Sequence, residues 1–256
     1  MKKLIVTVLA AALTLTACGG SDSASSTLRV GTLSDAPPNI YLKDGNYTGF
    51  DNELLKAIAA KEGLKLEFAA TEFSALLGQV ANGTFDIGSS AISQTDARKK
   101  TVDFSAPYNY QALGIEAKET AGITDEKSLA GKRVGVVQGT VSDSWLGTNA
   151  PTAQAVRFPN DAAALNALKT GAIDGAVFDQ ATAEDYAKNN ADAKLKVTKT
   201  ITTTIPHGFA VKKGNTELIT KINDGLKKVV ADGTWVRVHD RFEPAAPVPA
   251  DFKPGQ

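Results

Sequence analysis

Apolar residues recur along this chain with two periods, and they divide it into alternating strands and helices. Leu28-Arg29-Val30-Gly31-Thr32-Leu33 alternates and predicts a strand. Ser34 to Pro38 breaks it into a loop, and residues 41–49 read as a hairpin turning at Asp44-Gly45-Asn46. Phe50, Leu54, Leu55, Ile58 and Ala59 then fall on one helical face, with Gly63 placed to close that helix. A strand at 64–68, a helix at 73–81 and a strand at 85–90 follow. Further on, strands are expected at 112–117, 131–137, 173–178 and 205–211. Helices are expected near 143–146 and at 161–169, 181–188, 216–232 and 234–242. Residues 244–256 are Pro-rich and read as an extended or frayed tail. Strand–helix alternation of this kind predicts an α/β fold with a largely parallel sheet.

One pattern occurs twice. Leu77-x-x-Val80-x-x-Gly83-x-x-Asp86 returns as Leu165-x-x-Leu168-x-x-Gly171-x-x-Asp174, 88 residues later. Each copy reads as a helix, a glycine that closes it, and a buried strand opening at Asp. The repeat predicts two lobes, residues 28–111 with 207–243 and residues 112–206, with chain crossings near Gln111 and Pro206. Ligands of open α/β sheets bind outside the carboxyl ends of strands. Here those ends carry Ser90-Ala91-Ile92-Ser93 in one copy and Asp179-Gln180 in the other, so a cleft between them is expected.

The N-terminus bears on location. Met1-Lys2-Lys3 precedes an apolar run over 4–15, too short to span a bilayer, and Leu15-Thr16-Ala17-Cys18 follows at once. This is the layout of a signal peptide (1–18), and its last four residues resemble a bacterial lipobox. Cys18 is the sole cysteine and the expected lipidation site, and 19–27 is a polar tether. Lys and Arg balance Asp and Glu at 28 each, which argues against nucleic acid and polybasic membrane surfaces as partners. Two histidines and one cysteine are too few for a conventional zinc site. No metal, cofactor or catalytic residue is implied.

The candidate chemistry is that of anion and cation capture. Ser93 and Thr95 open a helix whose first turns carry Arg98, Lys99 and Lys100, where the helix dipole disfavours cations. Arg98 with free backbone N–H groups suits a carboxylate; an ion pair with Asp96 or Asp103 explains it equally well. Gly139-Thr140-Val141-Ser142 is a second strand-to-helix turn with N–H donors, although Thr140 also fits a plain N-cap. Asp179 ends an apolar strand, where an ammonium would stabilise it; it also fits the cap of the following helix. Phe73 offers an apolar wall or belongs to the core. Trp145, Trp235 and Phe209 read as core, and His207 and His239 as structural. A carboxylate site facing an ammonium site describes an α-amino acid.

With these motifs in register, residues 28–242 resemble the type 3 extracellular solute-binding proteins of polar amino-acid ABC transporters. The resemblance rests on LRVGT, Gly49-Phe50-Asp51, residues 86–105, GKRVGVVQGT at 131–140, the strand ending at Asp179, and Ala231-Asp232-Gly233-Thr234. It implies a periplasmic-binding-protein-like (type II) fold, two α/β lobes joined by a two-strand hinge. It also implies an extracytoplasmic, lipid-anchored monomer that hands a free amino acid to permease subunits. By the same resemblance, Arg98, Ser93 and Thr140 take the ligand carboxylate, Asp179 with Ser90 or Ala91 takes the ammonium, and Phe73 packs on the ligand. Two positions depart from the family: Ala36 stands where an aromatic is common, and Leu33 near where binders of basic amino acids tend to carry an acid. A polar, small or acidic ligand is therefore expected over a basic one, unless the loop shifts so that Asp35 stands in for that acid. A dehydratase on the same fold, using Asp179, Glu184 or Asp185 as acid, and a ligand sensor for a separate partner are the rival readings.

Overall fold

The computed structural model describes residues 27–255, so the leader, Cys18 and nearly all of the tether lie outside the described residues. Two five-stranded sheets form two lobes. The first runs Leu66–Ala70, Leu28–Thr32, Ile87–Gly88, Ala210–Lys212, Val102–Phe104, and the second Gln154–Phe158, Arg133–Val137, Gly175–Asp179, Asn109–Lys118, Leu195–His207. In both, the first three strands are parallel and the remaining neighbours antiparallel. The sheets are thus half antiparallel rather than largely parallel, because in each lobe the fourth strand of that order, Ala210–Lys212 or Asn109–Lys118, enters from the other lobe and runs against both its neighbours.

The 88-residue repeat is the geometric unit of this plan. Asp86 accepts the backbone N–H of Arg29 at 2.8 Å, while the Arg29 guanidinium reaches the Gly83 carbonyl. Asp174 accepts the N–H of Arg133 at 2.8 Å, while Arg133 reaches the Gly171 carbonyl. Gly83 and Gly171 both close their helices in the left-handed region, at φ 83° and 79°, which an L side chain would strain. In each copy the aspartate ties the start of one parallel strand to the start of its neighbour.

The first lobe is built on aromatics. Phe50, Tyr108, Phe209 and Trp235 are fully buried, and the Trp235 indole N–H donates to the Tyr108 carbonyl at 3.0 Å. The Phe50–Glu62 helix packs on Thr216–Ala231 at Gly225, where a Cβ would come within 2.8 Å of Ile58. The expected frayed tail is instead docked. Phe252 stacks on Trp235 with centroids 4.7 Å apart, and the Tyr110 hydroxyl donates to Asp251. A large apolar ring provides burial that the prolines around it conceal in the sequence. The second lobe is more aliphatic, and Trp145 is only partly buried there.

Two strands leave no pattern in the sequence, 154–158 and most of 195–207. Both lie at an edge of the second sheet and are mostly exposed or half-buried, so no continuous buried face imposes apolar alternation on them. The strand predicted at 85–90 pairs only over Ile87–Gly88, because the chain turns at Ser89-Ser90-Ala91, with Ala91 at φ 43°.

Candidate ligand-binding cleft

A cleft between the lobes, with about 520 Å³ of space partly continuous with solvent, is bordered by all ten of the residues singled out above: Leu33, Ala36, Phe73, Ser90, Ala91, Ser93, Arg98, Thr140, Val141 and Asp179. The first seven come from one lobe and the last three from the other.

Arg98 is positioned by a four-residue helix, Asp96–Lys99, whose N-cap Thr95 accepts the Arg98 backbone N–H. Its guanidinium donates to the Ser93 carbonyl at 2.9 Å and, across the cleft, to the Gly139 carbonyl at 3.1 Å. It lies over the Phe73 ring at 4.9 Å, a cation–π contact that fixes the fork. A guanidinium has five N–H donors, so donors remain for a ligand. Burial lowers its basicity to about 10, against the opposing pull of Asp179, and it stays charged at neutral pH. The surface ion-pair explanation is not what the structure shows, since Asp103 is taken by Lys213 and the Gly214 N–H.

Asp179 occupies the N-cap position of the Gln180–Asn189 helix but makes no capping hydrogen bond to it. Its negative charge acts on Arg98 in the opposite lobe. Thr140, by contrast, is an N-cap: its hydroxyl accepts the Asp143 N–H at 3.2 Å and donates to the Val137 carbonyl at 2.8 Å. It therefore shapes the Val141–Asn149 helix start that borders the cleft.

Ser90 and Ala91 are largely engaged within the first lobe. The Ser90 hydroxyl accepts the Leu33 N–H at 3.0 Å, and the Ala91 N–H donates to Asp51. Asp51, absent from the candidates read from sequence, is buried beneath the cleft floor and also accepts the Tyr108 hydroxyl at 2.6 Å. Burial pushes its carboxyl up to about 7, ahead of the lowering by those two bonds. This network holds Ala91 in its left-handed turn. The trace of it in sequence is an acid on the otherwise apolar face of the first helix.

The second residue missed is Asp161, the first residue of the Asp161–Thr170 helix, which borders the same cleft. Burial pushes its carboxyl well above the usual range, reinforced by Asp35 and Asp179. Asp161 is thus an acid bordering the cleft from the second lobe, acted on by Asp35 of the first. Glu184 and Asp185 do not border the cleft, and Glu184 is exposed and bonded to Gln180.

The lobes also meet directly. The Asp35 carboxylate accepts the Ala162 N–H at 2.7 Å, at the N-terminus of the opposite helix, and the Tyr186 hydroxyl donates to the Asp35 carbonyl. His207 and His239 are buried, and burial takes His207 down to about 3, leaving it uncharged. Among the described residues no His, Cys, Asp or Glu group could hold a metal, and no helix is long and apolar enough to cross a membrane.

Relatives share this architecture. A probable histidine-binding protein of Neisseria gonorrhoeae is 32% identical over 94% of this chain and 96% of its own length. The arginine-binding extracellular protein ArtP of Bacillus subtilis (strain 168) is 32% identical over 94% of this chain and 98% of its own. Among solved structures, an ancestral arginine-binding protein bound to arginine superposes with a TM-score of 0.82 at 36% identity, covering 85% of this chain and 98% of that one. The family model of the bacterial extracellular solute-binding proteins, family 3, matches residues 28–244, and the chain belongs to that family.

Proposed function

We propose that this protein captures a free L-α-amino acid outside the cytoplasm and delivers it to the permease subunits of an ABC transporter. The observation that carries this reading is the placement of opposite charges on opposite lobes of one cleft, Arg98 on the first and Asp179 on the second. The remaining Arg98 donors and the first-turn N–H groups after Thr140 take the ligand carboxylate. Asp179 takes the ammonium, aided by acceptors at Ser90 and Ala91. Phe73, Leu33 and Ala36 supply apolar wall. Each charge is stabilised by a ligand group that reaches it only when the lobes are together, so binding favours closure. The strands crossing between lobes near Gln111 and Pro206 act as hinges, the kind of closure around a ligand for which periplasmic binding proteins are a standard example. The protein works as a monomer, tethered to the membrane through a lipid on Cys18, and carries out no reaction on its ligand.

Thermal unfolding in the presence of each of the twenty amino acids tests the reading. A ligand at about 100 times its dissociation constant adds about 2.7 kcal/mol of stability. At least one amino acid is expected to raise the midpoint and to be recovered unchanged. No shift with any of them, or steady product formation, contradicts it.

A further inference from the structure

Three charged side chains border the cleft: Arg98, Asp179 and Asp161. An amino acid's carboxylate and ammonium match the first two. Asp161 is then left over, and it belongs to no ion pair among the described residues. The charges acting on it, Asp35 and Asp179, are both carboxylates, and its own backbone N–H is the hydrogen bond that lowers its pKa. A carboxylate half-buried beside two others is costly unless a cation joins it.

Its place in the repeat points the same way. Asp161 lies 88 residues after Phe73, the period of the internal repeat, and each is the first residue of the helix leading into its lobe's third strand. In the first lobe that position faces the cleft with a ring, already stacked on Arg98. In the second it faces the same cleft with a charge. The pocket is therefore apolar and cation-bearing on one side and doubly acidic on the other.

We propose that Asp161 is the residue that selects the ligand's side chain, and that the side chain it accepts is cationic, a guanidinium or ammonium on an L-α-amino acid. This deepens the amino-acid reading above and rests on it. With both carboxylates ionised the lining carries one net negative charge, which a zwitterion leaves and a cationic side chain balances, so a cationic ligand also favours the ionised form of Asp161.

Calorimetric titration of wild type, Asp161→Asn and Asp161→Glu with L-arginine, L-lysine and the neutral arginine isostere L-citrulline tests this. Wild type is expected to favour arginine or lysine over citrulline by at least tenfold. Asp161→Asn is expected to lose that preference by tenfold or more while still binding citrulline, and Asp161→Glu to keep the sign of it. The ratio of cationic to neutral ligand is the readout, because a purely structural role would weaken both alike. A wild type that favours citrulline, or an unchanged ratio in Asp161→Asn, overturns the role of Asp161 while leaving amino-acid capture standing. Failure of the wild type to bind any α-amino acid, titrated in parallel, overturns both.

Discussion

The helix that begins at Phe73 and the helix that begins at Asp161 hold equivalent places in the repeat, yet one brings an aromatic ring to the cleft and the other a carboxylate. The strand ends differ in the same way. Ala91, whose N–H is held by Asp51, stands in the first lobe where Asp179 stands in the second. The scaffold of the two lobes is shared down to the Arg–Asp–Gly tie at each helix end. What differs is the sign of the charge each presents. A duplicated plan supplies two facing strand ends, and divergence at a few positions on them turns the pair into a site that recognises opposite charges on one small molecule.

The largest effect is expected where that division of charge is removed. Arg98→Ala and Asp179→Ala should each weaken amino-acid binding by about 3–5 kcal/mol, a hundredfold to several thousandfold, because each strands one buried ligand charge. Calorimetry reads the loss, and circular dichroism checks that the fold persists. Equal loss from mutations in opposite lobes supports the clamp; retained affinity in either confines recognition to one lobe.

The second lobe also buries a carboxyl neither of whose oxygens has a hydrogen-bond partner. Glu116 is fully buried in the Asn109–Lys118 strand with both carboxylate oxygens lacking hydrogen-bond partners, and burial pushes it up to about 8. The folded state holds a proton that the unfolded state releases above about pH 4.5. Stability should therefore fall as pH rises from about 4.5 to 8 and level off above. Glu116→Gln should flatten that slope and raise stability at pH 8 by on the order of 3 kcal/mol, measured by denaturant unfolding across pH.

A smaller effect is expected at the contact between lobes. Asp35→Ala removes the carboxylate that accepts the Ala162 N–H and should weaken binding by about 1–2 kcal/mol, with faster ligand release in stopped flow. A change in association rate alone would mean that this contact forms before the lobes close. The smallest effect belongs to the shared scaffold. Arg29→Ala and Arg133→Ala break exposed pairs and should each cost no more than about 1 kcal/mol of stability, and by similar amounts.

The fold is legible in the sequence where a physical constraint leaves a periodic trace. The Phe50–Glu62 and Phe73–Asn82 helices follow from apolar spacing and glycine stops. The repeat marks both lobes because the Gly–Asp tie needs those residue types at fixed spacing. Edge strands such as 154–158 leave no such trace, being largely exposed. Phe252 is hidden among prolines, its partner Trp235 being remote from any local pattern. Asp161 escapes notice because an aspartate opening a helix is an ordinary N-terminal residue. Only the meeting of the two lobes shows that it shares a cleft with Arg98 and Asp179. In the sequence Ser90 and Ala91 carry only an ammonium-binding role implied by resemblance; the fold engages the Ser90 hydroxyl with the Leu33 N–H and the Ala91 N–H with Asp51.

In the two-lobe clamp both charges of the ligand's backbone are gripped, one by each lobe. The most direct test is a calorimetric titration of the wild-type protein with its amino acid beside the decarboxylated amine and the deaminated acid of the same side chain. Each analogue lacks one backbone charge, and each should bind at least about a hundredfold more weakly than the parent. An analogue that binds within about tenfold of the amino acid would contradict the two-lobe clamp.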